Sequence, residues 1–390
     1  MIIGCTRERK NHEYRVGLTP SNALAYIQAG HTVLMERGAG TNSGFQDAEY
    51  SAQGAEILQT AEEVCGRCEM LVKVKEPEPE EFHLLRRGMI LYTYLHLAVF
   101  PALAWRLLEN GVSAVAYETI RDKAGSLPCL RPMSEIAGRL SVQEGAKYLE
   151  YAYGGHGILL GGVPGVERGR VVIIGGGIAG TYAAKAAVGM GAEVAVIDSN
   201  LSRLVYLDDI FGASITTLYS TEMNIAKAVS QADLVIGTVL IPGASAPKLI
   251  RREHLAMMKK GAVIVDVAID QGGCCETSHV TFHDDPVFVE EGVVHYCVGN
   301  MPGAVPRTST IALTNATLRY GLAIAEHGLE DACRRDRGLA MGVNTYQGRC
   351  TNKNVAQSLG LELICTPNTG QSVLGVQPVK KGRTKRPFLI

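Results

Sequence analysis

A chain of 390 residues with 46% hydrophobic and 20% charged residues has ordinary globular usage and is too long for a single growing core, so two domains are expected. A formal net charge of −1 gives no general attraction for nucleic acid or an anionic membrane and argues for a small-molecule partner. Glycine at 44 residues, with few aromatics, suits an α/β architecture built on tight strand-to-helix turns.

Arg7, Glu8, Arg9 and Lys10 follow Met1-Ile2-Ile3 almost at once, which is not the pattern of a secretory leader, so a cytoplasmic protein with reduced thiols is expected. The first part alternates short apolar runs with helical stretches. Strands are expected at residues 1–4, 31–36, 70–74, 89–95 and 113–116, with helices at 20–29 and 48–54. This rhythm predicts a mostly parallel sheet. Residues 88–105 lack Asp, Glu, Lys and Arg and reach the minimum membrane-spanning length of about 18. His96 and Pro101 divide that stretch into a buried strand and a helix whose first turn holds the proline. Cys65-x-x-Cys68 closes a helical stretch and precedes a strand, the wrong end for an activated redox pair, and no second ligand pair completes a zinc site. No metal is expected.

A helix over about 134–153 should bridge two domains. From Val171 the rhythm restarts, with strands at 171–174, 193–197, 234–237 and 263–267, the doubly wound pattern. Helices at 311–327 and 355–359 return to the first domain. The organisation expected is therefore two Rossmann-like doubly wound α/β domains: residues 1–133 with 308–366 for substrate, and 134–307 inserted between them for a dinucleotide. Residues 367–390, with their basic cluster, read as a mobile tail.

The run Gly175-Gly176-Gly177-Ile178-Ala179-Gly180 follows a strand and opens a helix, the context that raises a dinucleotide fingerprint above a bare pattern match. Gly175 permits the tight turn, Gly177 lets the backbone approach a pyrophosphate, and Gly180 allows close helix–strand packing, while the helix N-terminus offers amide donors. Asp198, about twenty residues on, is placed to accept both ribose hydroxyls and would repel a 2′-phosphate, which favours NAD over NADP. Arg203 reads either as a phosphate ligand or as a stacking partner for adenine.

A dehydrogenase also needs a cation for the substrate carboxylate and a proton donor and acceptor beside the carbon that exchanges hydride. Arg15, Lys75, His96 and Asp270 sit where strands or strand-like segments end. Taken singly, Arg15 and Lys75 read as surface cations, His96 as a core histidine and Asp270 as a turn cap.

Several segments resemble one family in order and spacing. They are Lys-Val-Lys-Glu-Pro at 73–77, Leu-His-Leu-Ala at 95–98, Pro-Met-Ser-Glu-Ile-Ala-Gly-Arg at 132–139 and Gly-Gly-Val-Pro-Gly-Val at 161–166. Asp-Gln-Gly-Gly at 270–273, Asn-Met-Pro-Gly-Ala-Val-Pro-Arg-Thr-Ser-Thr at 300–310 and Asn-Thr-Tyr-Gln-Gly at 344–348 complete the set. Together they resemble the alanine dehydrogenases, over about residues 1 to 364; Cys5-Thr6 stands where Pro-Lys is commoner.

That resemblance implies a homohexamer of bilobed subunits that interconverts L-alanine with pyruvate and ammonium using NAD. It implies that Arg15 and Lys75 hold the substrate, that Met133 presses on it, and that His96 is the acid/base with Asp270 steadying the nitrogen. By the same resemblance Ser134, Ile269, Asp270, Val298, Asn300 and Met301 surround the nicotinamide, Ser220 lies near adenosine, and Val239 and Leu240 complete the cofactor site. A methyl-sized pocket rejects one fewer methylene poorly, so glyoxylate is a plausible side substrate. The rival reading is the NAD-binding subunit of a proton-translocating transhydrogenase, which Leu-His-Leu-Ala and Asp270-Gln271-Gly272-Gly273 fit less well.

Overall fold

The computed structural model describes residues 1–239, 246–361 and 363, so the expectations for Leu240 and for the tail at 367–390 lie outside the described residues. In the first part of the chain β1 (Ile2–Cys5), β2 (Thr32–Glu36), β3 (Glu56–Leu58), β4 (Met70–Val72), β5 (Ile90–Thr93) and β6 (Ser113–Ala116) pair in parallel in the order β3-β2-β1-β4-β5-β6. A second sheet takes β7 (Arg170–Ile174), β8 (Glu193–Asp198), β9 (Thr216–Tyr219), β10 (Leu234–Gly237), β11 (Val263–Asp266), β12 (Val287–Glu290) and β13 (Val293–Tyr296). Its order is β9-β8-β7-β10-β11-β13-β12, parallel except for the β12–β13 hairpin. The chain then returns, and β14 (Val343–Tyr346) and β15 (Arg349–Cys350) extend the first sheet antiparallel beyond β6.

Both sheets reverse their strand order beside the first strand, at β1/β4 and at β7/β10. In a doubly wound sheet the ligand crevice opens outside the carboxyl ends of the strands at that point. The strands read as continuous apolar runs because both faces are covered. Val171 and Ile173 enter one apolar cluster and Val172 and Ile174 another, and in the first sheet Ile90 and Tyr92 part in the same way from Met89 and Leu91.

Residues 88–105 divide as expected into β5 and a helix, Pro101–Glu109, with its proline in the first turn. Among the described residues no helix is long and apolar enough to cross a membrane. Cys65 and Cys68 are buried at the end of the helix Ala61–Arg67. Boundaries differ elsewhere. The connecting helix runs Arg131–Tyr148, starting with Pro132 in its first turn, and Tyr151–Tyr153 is a separate turn. The chain folds back tightly there, since a Cβ on Gly155 would lie 2.3 Å from the carbonyl oxygen of Tyr148. The return helix begins at Pro306 and is broken at Gly328, whose φ of 73° is not helical. Strands β3, β9, β12, β13, β14 and β15 escaped the sequence pattern because most are short and half-exposed, and β13 carries His295 inside its run.

The connecting helix presses on the helix Ile178–Gly189, which opens with the fingerprint. Gly138 makes the approach possible: a Cβ there would sit 2.1 Å from the carbonyl oxygen of Ala179. Gly138→Ala should therefore force the helices apart and lower stability by about 1–3 kcal/mol, the usual cost of overpacking. Chemical denaturation measures this, and an unchanged midpoint would show that the contact yields freely.

Candidate active site

Three of the expected groups follow neighbouring strands of the first sheet. The segment after β1 carries Glu13 and Arg15, β4 leads to Lys73 and Lys75, and β5 leads to Tyr94 and His96. Strand order therefore brings these segments to one edge of the sheet.

Arg15 is only 2% exposed. It donates through Nε to Glu13 Oε1 at 2.7 Å and through Nη2 to Glu13 Oε2 at 2.6 Å and Asn300 Oδ1 at 2.9 Å, while Nη1 lies 3.0 Å from Met133 Sδ. Asn300 Nδ2 donates to Glu13 Oε2 at 3.0 Å, so one amide spans both ends of the ion pair. Burial opposes the charge on Glu13, but Arg15 outweighs it and, with Lys75 and Asn300, holds the carboxyl at about 2. Neither Arg15 nor Met133 has the bland environment of a surface cation or a simple core residue.

Lys75 is half-buried, and its Nζ makes no hydrogen bond to a described residue. Burial, and then the positive charge of Arg15, push its pKa below the usual lysine value against the pull of Glu76 and Glu13. Beneath it, the fully buried Lys73 reaches Glu81 Oε1 at 2.9 Å and Glu8 Oε2 at 3.5 Å. Glu8 accepts from the backbone N–H of Val74 at 2.7 Å and of Lys75 at 3.3 Å. Burial pushes its carboxyl up to about 7, although Lys73 opposes the shift.

His96 is exposed and has a left-handed backbone, φ 47°. Glu118 Oε1 accepts from its backbone N–H at 2.7 Å and lies 4.0 Å from Nδ1. The ring lies parallel to that of Tyr94, with centroids 6.1 Å apart, and Tyr94 donates to the carbonyl of Cys129 at 2.7 Å. Three of the five described non-glycine residues with positive φ, His12, His96 and Asn300, lie in or beside this constellation, the placement expected where backbone strain serves a site.

Asp270 is exposed in the turn Val267–Gln271 after β11. A Cβ on Gly299 would begin 3.1 Å from its Oδ1, so Asp270 packs on the residue that precedes Asn300. The structure thus joins Arg15, Met133 and Asn300 directly and sets Asp270 beside them. Among the described residues no hydrogen bond joins His96 to Lys75 or Asp270.

The glycine loop has the shape a pyrophosphate requires. Gly175 has φ 102°, a Cβ on Gly180 would lie 1.8 Å from the carbonyl oxygen of Gly175, and the space over Gly177 is open to 4 Å. Asp198 Oδ2 accepts from the N–H of Gly176 at 2.6 Å and Oδ1 from that of Asn200 at 2.8 Å, so this carboxylate also sets the loop. Arg203 takes a third course: it bonds the carbonyl of Gly176 and the hydroxyl of Thr181, with its guanidinium 4.5 Å from the ring centre of Tyr206. Ile178 is exposed at the helix start, Ala179 and Ser134 are half-buried, and Ile269, Val298 and Met301 are buried. Val239 follows β10, and the N–H of Ser220 donates to the carbonyl of Asp198 at 3.0 Å. The residues present fit a dinucleotide.

Glu13, Glu118, Glu8, Lys73 and Tyr94 were not singled out from the sequence. The signal for Glu13 was its place two residues before Arg15, and for Glu118 its place just past the strand next to β5; neither spacing is distinctive.

Two doubly wound sheets, one with a glycine cradle and the other with cations and an imidazole at its strand ends, have the construction of a two-domain nucleotide-dependent oxidoreductase. Family models for the N-terminal and C-terminal domains of alanine dehydrogenase/PNT match residues 4–137 and 141–353. The chain belongs to the alanine dehydrogenase/PNT family. It is 56% identical over 359 residues to an alanine dehydrogenase of Methanococcus maripaludis, covering 92% of this chain and 96% of the relative. It is 55% identical over 365 residues to that of Bacillus subtilis, covering 93% and 96%. A solved L-alanine dehydrogenase superposes with a TM-score of 0.90 at 50% identity, covering 92% of this chain and 99% of that one. A transhydrogenase from Sinorhizobium meliloti, at 21% identity and a TM-score of 0.78 over 90% and 99%, shares the fold.

The buried carboxyls act on stability in opposite directions. Glu13 titrates lower folded than unfolded, so its contribution is present above the ordinary carboxylate range and is lost as pH falls toward 2. Glu8 titrates higher, near 7, so its contribution is present below the ordinary range and is lost as pH rises through 7. Glu8→Gln should flatten the decline in stability between about pH 5 and pH 7, read by urea denaturation. An equally steep decline in the variant would remove Glu8 as its source.

Proposed function

We propose that this protein is an NAD-dependent L-alanine dehydrogenase, which converts L-alanine, water and oxidised cofactor to pyruvate, ammonium, reduced cofactor and a proton, and the reverse. What supports the reading is that Arg15, Lys75 and His96 follow neighbouring strands of the first sheet and Asp270 packs beside Asn300, in a chain more than half identical to alanine dehydrogenases. When bound, NAD accepts hydride from Cα of alanine. Residues 134–307 hold it, with Gly175, Gly177, Ile178, Ala179 and Gly180 at the diphosphate and Asp198 at the adenosine ribose. Arg203 and Ser220 serve the adenosine side, Val239 completes the cofactor site, and Ser134, Ile269, Val298, Asn300 and Met301 serve the nicotinamide side.

Residues 1–133 with 308–366 hold the substrate. Arg15 and Lys75 take the carboxylate and, in the ketone, the carbonyl oxygen, and Met133 bounds the methyl group. Loss of hydride from Cα and of one proton from the ammonium nitrogen, which goes to solvent, leaves a protonated imine. His96 takes a proton from the water that adds to the imine carbon and delivers it to the nitrogen of the carbinolamine; as the C–N bond breaks the hydroxyl proton follows to nitrogen, which leaves as ammonium, and the water oxygen stays as the carbonyl oxygen of pyruvate. Asp270 balances the cationic nitrogen through these steps. A homohexamer working in the cytoplasm on free alanine, pyruvate and ammonium, with glyoxylate as a weaker substrate, completes the reading.

The test is NADH oxidation with pyruvate and ammonium. His96→Ala and Lys75→Ala should each lower kcat by about 100-fold or more while NADH affinity stays within about threefold, as expected for groups that serve proton transfer and substrate orientation. Full turnover in either variant would remove that residue from the mechanism. NADPH should be turned over far more slowly than NADH, and a preference for NADPH would overturn the role given to Asp198.

A further inference from the structure

A guanidinium has five N–H donors, and the use made of those on Arg15 is unequal. Nε and both hydrogens of Nη2 go to the carboxylate of Glu13 and the amide of Asn300, all strong acceptors at 2.6–2.9 Å. Nη1 meets the thioether of Met133 at 3.0 Å, a weak acceptor, and among the described residues its other hydrogen has no acceptor. The carboxylate of Glu13 is equally committed. Its Oε1 takes the backbone N–H of Arg15 at 3.1 Å as well as Nε, and its Oε2 takes Nη2 and Asn300 Nδ2. The Glu13 side chain has no exposed surface, so it meets no substrate itself.

We propose that Glu13 is a positioning residue: it locks the Nε and Nη2 edge of Arg15 to Asn300 of the nucleotide-binding half and leaves Nη1, now resting on Met133, as the edge offered to the substrate carboxylate. This rests on the dehydrogenase reading. Arg15 then grips the carboxylate through Nη1 alone, and Lys75, whose ammonium has no hydrogen bond among the described residues, supplies the second point of attachment. Because Asn300 follows Gly299, against which Asp270 packs, the same contacts tie the cation that holds the carboxylate to the turn that serves the nitrogen. Glu13 also acts on Lys75 through its charge. The charged groups around that amine are Arg15 and Lys10, which disfavour its protonation, and Glu76 and Glu13, which favour it.

Glu13→Gln keeps the shape and removes the charge, and Glu13→Asp keeps the charge and shortens the reach. Steady-state kinetics with pyruvate, ammonium and NADH, across pH, separates the two effects. In Glu13→Gln the KM for pyruvate should rise about tenfold or more with NADH affinity unchanged, and the alkaline limb of kcat/KM should move to lower pH by about half a unit or more, since an anion near Lys75 has been lost. In Glu13→Asp the limb should stay near its original pH while the KM still rises. A KM and an alkaline limb like those of the unmodified enzyme in folded Glu13→Gln would overturn the proposal. Should Glu13→Gln fail to fold, an unchanged KM in Glu13→Asp overturns it and a raised KM supports it. The unmodified enzyme guards the underlying reading: if it oxidises no NADH with pyruvate and ammonium, the assigned reaction has failed. Glu13 is then judged by pyruvate binding to the NADH complex, read by NADH fluorescence, where loss in Glu13→Gln supports the proposal and unchanged binding overturns it.

Discussion

The site depends on the burial of one guanidinium. A lone charge as deeply enclosed as Arg15 would cost several kcal/mol, and removing its partner would leave that cost unmet. Glu13 neutralises it from two residues away, and Asn300 reaches it from across 285 positions of sequence. The segment after β1 and the segment after β13 thus meet at this ion pair, through the bonds of Asn300 to Arg15 and Glu13.

That dependence gives the topology its purpose. Each sheet reverses strand order beside its first strand, and a reversal of this kind opens a crevice at the carboxyl ends. At one reversal β7 leads to backbone, the glycines of the fingerprint, with open space over Gly177. At the other, β1, β4 and β5 lead to side chains, Arg15, Lys75 and His96. The proposed hydride transfer needs the two brought to a common centre, and the contacts of Arg15 with Asn300 and of Asp270 with Gly299 join the two halves.

Periodicity made the parallel strands legible because buried parallel strands are continuous apolar runs, and β1, β4, β5, β7, β8, β10 and β11 stood out on that ground. The short edge strands did not, since a half-exposed run such as Thr216–Tyr219 has no distinctive pattern. The glycine loop was legible in full because each glycine answers a separate steric demand. Arg15, Lys75, His96 and Asp270 drew attention as polar groups at strand ends, but their partners did not. Glu13 and Glu118 act through contacts that exist only after folding, and a glutamate in a polar segment looks the same whether it is solvated or buried against an arginine.

The buried charges also explain how Lys75 remains available. Its amine lies close to Arg15, and two cations kept near each other out of water would drive one to lose its proton. Glu13 lies within the field of both, so one carboxylate restrains both cations. Below, Lys73 is held between Glu8 and Glu81, and Glu8 takes the backbone N–H groups of Val74 and Lys75. The strand end is thus fixed through its backbone, leaving the Lys75 side chain without a hydrogen-bond partner among the described residues. An ammonium already bonded to a carboxylate would have to break that bond to meet a substrate. One that is fixed at its backbone and only balanced at a distance would, in the proposed reaction, meet the substrate without that cost.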